Sequence, residues 1–148
     1  MQQFTGDSVG DGIPDWWRQQ YFSNGATNHF GNTTNSESCA TCDPDGDGMN
    51  NLQEYLAGTV PTNGASYLRI LSVIPQGTNM VVTWYTAGGH TNVLQAATAT
   101  PDGSYTNNFM DISPYIIIQG SGDTTTNYPD SGAATNYLNR NYRVRLQQ

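Results

Sequence analysis

Lysine is absent from this 148-residue chain, whose five basic residues are all arginine, set against ten aspartates and two glutamates. A surface with so little positive charge cannot grip a phosphate backbone, which excludes nucleic acid as a partner. Histidine occurs only at His29 and His90, both in Asn/Gly-rich, loop-like sequence. No Ser-His-Asp or Cys-His arrangement can be argued from them, no glycine-rich phosphate loop is present, and the expectation is a protein that is not an enzyme. No apolar run approaches the ~20 residues needed to cross a bilayer, so no transmembrane segment is expected. No charged-then-apolar leader follows Met1, and Gln2-Gln3-Phe4 reads like the interior of a longer protein.

Cysteine is scarce too, with a single pair in Cys39-Ala40-Thr41-Cys42. A closed zinc site needs four ligands, and only the two histidines are there to complete one. A redox role would need a βαβ setting, which the flanking sequence lacks. The pair is therefore expected to form a local disulfide between Cys39 and Cys42, in keeping with an oxidising compartment. Abundant Asn, Thr, Gly and Ser point the same way, to a secreted or cell-surface, extracellular location.

What charge there is falls unevenly. Eight acids (Asp7, Asp11, Asp15, Glu37, Asp43, Asp45, Asp47, Glu54) and one base, Arg18, lie in the first 62 residues, a net of −7 that equals the net charge of the whole chain. The remainder balances four Asp with four Arg. Like-charge repulsion on that scale opposes folding unless a cation neutralises it.

The pattern changes at the turn-rich cluster Pro61-Thr62-Asn63-Gly64, which divides the chain into residues 1–62, an acidic loop–helix module, and residues 63–148, a β-sandwich. In the first part, Pro14 to Phe22 reads as a short helix with an aromatic face of Trp16, Trp17 and Tyr21. A second helix is expected from about Asn50 to Ala57, with Leu52, Tyr55 and Leu56 as its apolar stripe and Gly58 as its left-handed terminator. Ser23 to Ser38 has no periodicity and reads as a loop. Strands are expected at 67–74, 79–86, 92–98, 115–119 and 141–146, bounded by turn residues, while 102–108 is too polar to assign. The fold class expected is α+β, mainly β: a small acidic loop module with two short helices followed by an antiparallel β-sandwich, with Trp84 in its core.

Asp43-Pro44-Asp45-Gly46-Asp47-Gly48-Met49-Asn50-Asn51-Leu52-Gln53-Glu54 matches the twelve-residue calcium loop at every demanding position. Asp43, Asp45 and Asp47 offer carboxylates, Met49 a backbone carbonyl, Asn51 a side-chain oxygen and Glu54 a bidentate carboxylate, while Gly48 permits the sharp turn. A second copy lies upstream from Asp7 to Arg18, where Val9 replaces an acidic ligand and Arg18 stands in the place of the glutamate. Its remaining ligands are Asp7, Asp11, Asp15 and the Ile13 carbonyl, so weaker calcium binding is expected there, with an ion pair from Arg18 to a neighbouring carboxylate as the alternative. Neither loop follows a helix, which sets the pair apart from sensors whose helices open on binding and points to a structural ion.

The segments Asp-x-x-Gly-Asp-Gly-Ile-Pro-Asp-Trp-Trp and Asp-Pro-Asp-Gly-Asp-Gly-Met-Asn-Asn-Leu-Gln-Glu-Tyr-Leu-Ala-Gly-Thr resemble the dockerin-like and thrombospondin type 3-like calcium-binding repeats of large bacterial surface proteins of the Verrucomicrobia and Planctomycetes type. Val81-Val82-Thr83-Trp84 and Asn141-Tyr142-Arg143-Val144-Arg145 resemble strands of the fibronectin III-like or immunoglobulin-like domains that often follow such repeats. The resemblance implies a carrier role with calcium as the only cofactor: a non-catalytic, calcium-stabilised structural or adhesive module of a cell-surface or secreted protein. Other cell-surface proteins, a second copy of itself, or extracellular polysaccharide are the partners it allows. Two alternatives arise from the residues themselves. One is a carbohydrate-binding module with a platform of Tyr85, Tyr105, Tyr115, Tyr128 and Tyr137. The other is a self-assembling filament or surface layer joined through the apolar strand Tyr115-Ile116-Ile117-Ile118.

Overall fold

The structure is a computed structural model that describes residues 6–23, 35–104, 107–137 and 139–147. The fold is α+β and mainly β, with three short α-helices and seven strands among the described residues, and the chain divides into two compact units, Met1–Tyr67 and Leu68–Gln148. His29 and Tyr105 lie outside the described residues, as does most of the segment read as a loop after Ser23.

In the first unit, α1 (Asp15–Phe22) follows Pro14, whose fixed φ suits it to a helix start. The second helix, α2 (Asn51–Ala57), is closed at both ends by its own sequence. Asn50 accepts from the Gln53 N–H while the Gln53 side chain accepts from the Asn50 N–H, and Gly58 ends the helix at φ 74°. The helices meet through the residues their periodicity selects. Ile13, Trp17 and Phe22 form a buried cluster to which Trp16, Tyr21, Ala40, Leu52 and Tyr55 pack. Tyr55 stands edge-on to Trp16 and Trp17 at ring separations of 6.4 and 6.0 Å. A 3-10 turn at Ser36–Ser38, capped by the Asn35 side chain, leads into the Cys39–Cys42 disulfide. The unit runs on to Tyr67 because the turn after α2 folds back on it: Ser66 is buried, and its hydroxyl accepts from the Val60 N–H.

The second unit is built from two antiparallel sheets. One has the order β1-β2-β6, with β1 Arg69–Gln76, β2 Asn79–Ala87 and β6 Asp123–Asp130. In the other, β3 (Thr91–Thr98) pairs along its whole length with β7 (Arg140–Gln147) and also with the two-residue strands β4 (Met110–Asp111) and β5 (Ile116–Ile117). Side chains from both sheets share one core of Val82, Trp84 and Leu94, against which Leu68, Ile70, Ile112, Ile116, Tyr128, Tyr142 and Val144 pack. The fully buried Trp84 donates its indole N–H to Oδ1 of fully buried Asn92 at 2.8 Å, a polar bond that joins the sheets through their apolar middle.

The alternation in β7 appears as expected on one side only. Tyr142 and Val144 join the core, while Arg143 and Arg145 enter a polar network instead of free solvent. The apolar run at 115–118 divides between environments: Ile118 is buried and Ile116 packs on the core, whereas Tyr115 and Ile117 are exposed. The tyrosines divide as well. Tyr128 belongs to the core, Tyr85 and Tyr137 lie under the guanidinium groups of Arg69 and Arg140, and Tyr115 is exposed.

Candidate metal centre

The Asp43–Glu54 loop is shaped by its own first carboxylate. Asp43 accepts from the N–H of Gly46 through Oδ1 and of Gly48 through Oδ2, at 2.8 and 3.0 Å. This wraps the chain tightly enough that Gly48 sits at φ 96°, where a side chain would be strained. Asp47 turns back to accept from the Met49 N–H at 2.8 Å. The result brings carboxylate oxygens of Asp43, Asp45 and Asp47 within 4.8 Å of one another, a group that could hold a metal ion.

Glu54 points to a ligand independently of that cluster. It is fully buried on the first turns of α2, and neither carboxylate oxygen has a hydrogen-bond partner among the described residues. Buried Oδ2 atoms of Asp45 and Asp47 are likewise without partners. Burial first, and then the charges of Asp45, Asp47 and Asp43, push the Glu54 carboxyl from 4.5 up to about 8. The Thr59 hydroxyl stands near enough to favour the charged form slightly, without the geometry of a full hydrogen bond. Asp45 is raised too, by burial and by its neighbours Asp47 and Asp43. Buried acceptors with no donor are costly, and a cation bonded to several oxygens is the simplest group that satisfies all of them.

Among the described residues, no side chain of this unit supplies that charge. Arg18 is the only Arg or Lys in the first 67 residues, and it is committed to the other loop. The four arginines of the second unit are engaged within it. Arg140 pairs with Asp130, Arg145 pairs with Asp111, Arg143 donates to Gln95 and lies over Phe109, and Arg69 lies over Tyr85.

Asn51, the ninth residue of the loop, is fully buried, and its amide has a second task that sequence reasoning missed. Nδ2 donates to the carbonyls of Glu37 and Cys39, both at 2.7 Å, and Oδ1 remains a buried acceptor without a partner among the described residues. The only sequence signal for this clamp was the disulfide, which holds the Cys39 carbonyl at a fixed place. Met49 is half-buried at the seventh position.

In the upstream loop, Asp7 accepts from Gly10 and Gly12 as Asp43 does from Gly46 and Gly48. Burial pulls the Asp7 carboxyl upward, but those N–H groups and the Arg18 charge outweigh it and hold it below 3.8. Asp15 is buried and accepts from the Ser8 N–H and hydroxyl. Asp11 and the Ile13 carbonyl both accept from Arg18.

A pH dependence follows from Glu54. Its carboxyl has a higher pKa folded than unfolded, so the stability it contributes without metal is complete below pH 4.5 and is lost as pH rises through about 8. In EGTA the first unit is therefore expected to melt at progressively lower temperature from about pH 4.5 to 8, as followed by the near-ultraviolet dichroism of Trp16 and Trp17. Saturating cation should reverse the slope, because carboxylate ligands must be deprotonated. A flat or rising metal-free profile over that range would contradict a Glu54 facing the three aspartates.

Compared with family models, with curated proteins and with solved structures, the chain matches none of them.

Proposed function

We propose that the chain is a non-catalytic, calcium-stabilised structural or adhesive module of a cell-surface or secreted protein, of the kind its dockerin-like and thrombospondin type 3-like segments imply. The observation that carries this reading is Glu54, a fully buried carboxylate whose two oxygens have no hydrogen-bond partner among the described residues and which stands beside three clustered aspartates. Asp43, Asp45, Asp47 and Glu54 would hold the ion, with Met49 and Asn51 as the oxygen donors their loop positions suggest. An all-oxygen set with a bidentate carboxylate at the twelfth position suits calcium, whereas magnesium demands a smaller octahedron and keeps its waters. Bound there, calcium would supply the positive charge that the loop lacks.

The chain's own residues then account for a mechanical role. With its acids neutralised, α2 can keep Glu54 buried and charged, Tyr55 stays seated against Trp16 and Trp17, and the disulfide-closed turn stays clamped by Asn51. Binding energy becomes folding energy, which suits an extracellular module where the ion is plentiful. The Cys39–Cys42 disulfide supports the same compartment.

Calorimetric titration of the full chain with calcium, and separately with magnesium, tests the reading. Calcium is expected to bind with a Kd of about 10⁻⁴ to 10⁻³ M, as extracellular modules do, and magnesium far more weakly. No heat and no retained ion in native mass spectra at millimolar calcium would end it. Self-assembly is the second reading, favoured by the exposure of Tyr115 and Ile117, and elongated particles in negative stain would support it.

A further inference from the structure

The two loops share one backbone. Gly10 and Gly12 donate to the two oxygens of Asp7 at 2.7 and 2.8 Å, as Gly46 and Gly48 donate to Asp43, and Ile13 donates to Asp11 as Met49 does to Asp47. The paired glycines adopt matching φ angles, 76° and 92° in one loop and 75° and 96° in the other. They part at the twelfth residue, which is Glu54 in one loop and Arg18 in the other.

Arg18 is buried to 1% exposure, and its guanidinium turns into its own loop. Nη2 donates to both oxygens of Asp11 at 2.5 Å, Nη1 donates to the Ile13 carbonyl at 2.7 Å, and Nη1 also lies 3.9 Å from Oδ1 of Asp7. Counted from Asp7, these are the first, fifth and seventh positions, which in the other loop are Asp43, Asp47 and Met49. Nε is left to donate to the Ser38 carbonyl at 3.1 Å, so the group's donors are used on the loop and on the turn before the disulfide. A planar cation with five N–H donors can satisfy several oxygens at once.

We infer that Arg18 is the resident cation of the first loop: its guanidinium fills the place an ion would take, so the module carries one calcium site and one loop closed without metal. The inference rests on the calcium reading of the second loop only for the ion count. It turns what reads as a degraded calcium site into a permanently closed one, insensitive to chelation. Val9 at the third position fits this division, because a guanidinium with its donors already placed has no use for another carboxylate there.

The test is an ion count with calcium as the probe, by calorimetry and native mass spectrometry, on the full chain and three variants. The parent chain is expected to bind one calcium, Glu54→Gln none, and Arg18→Glu two, because a carboxylate at the twelfth position reopens the first loop. Asp11→Asn, which removes the carboxylate that Nη2 of Arg18 engages, is expected to lower the melting temperature by the same amount in calcium and in EGTA. Two ions on the parent chain, or one retained by Glu54→Gln, would overturn the inference. So would an Arg18→Glu variant that folds and still binds only one. If Arg18→Glu does not fold, the parent count and Asp11→Asn decide. No ion on the parent chain would sink the calcium reading alone, and an Asp11→Asn variant with unchanged melting in EGTA would sink the role of Arg18 alone.

Discussion

Glu54→Gln is expected to abolish the response of the first unit to calcium. In calcium the parent chain should melt well above the variant, because on the proposed reading the ion binds only the folded loop and would stabilise it by about 2.7 kcal/mol at a hundredfold excess over Kd. For a domain of this size that corresponds to roughly 10–20 °C. In EGTA at pH 8 the order should close or reverse, since the amide keeps the shape of the side chain while removing a carboxylate that is buried beside three others. Paired thermal scans in calcium and EGTA read both arms. Asp7→Asn provides the contrast: Asp7 holds its own loop through Gly10 and Gly12, so its loss should lower both scans alike and leave the calcium-dependent rise in place. Equal calcium-dependent losses for the two variants would mean that the two loops share the ion-binding role.

Trp84→Ala should be the most damaging single change in the second unit. It removes the largest fully buried side chain, at a cost of about 3–5 kcal/mol for such truncations. It also leaves Asn92 buried with neither end of its amide paired among the described residues, where Trp84 is the one partner of Oδ1 and Nδ2 has none. An unpaired buried group adds roughly 1–3 kcal/mol, and the sum approaches the whole stability of an ordinary domain, about 5–15 kcal/mol. Urea denaturation followed by Trp and Tyr dichroism is the measurement, and a midpoint unchanged from the parent would contradict the placement of Trp84 at the joint of the two sheets. Trp84→Phe should be milder, keeping most of the packing and losing the bond to Asn92.

Much of this architecture was legible because its signals are local. Asn50, Gln53 and Gly58 mark both ends of α2 without reference to anything distant, and α1, β2 and β7 lie within a residue or two of their expected spans. What escaped depends on partners far along the chain. β6 reads as Asp-Thr-Thr-Thr-Asn-Tyr-Pro-Asp, with no apolar alternation and an internal proline, and it is a strand because β2 offers a complete antiparallel ladder beside it. β4 is two exposed residues held by β3, and α3 (Ala133–Asn136) is a single turn, too short for any periodicity to show. In the candidate site the spacing of Asp43, Asp45, Asp47 and Glu54 was readable. The clamp of Asn51 on Glu37 and Cys39, and the reach of Arg18 to Ser38, were not, because each spans more than ten residues to a main-chain carbonyl that any sequence provides.

The prolines of β1 and β6 bear on how copies of this chain behave when crowded. These are the two outer strands of their sheet, and each carries one residue, Pro75 or Pro129, that has no N–H to give. A strand arriving from another molecule would meet an interrupted row of donors on either side, so runaway growth by strand addition is blocked at both margins of this sheet. Copies of this chain at high concentration can thus stand side by side without fusing through the margins of this sheet.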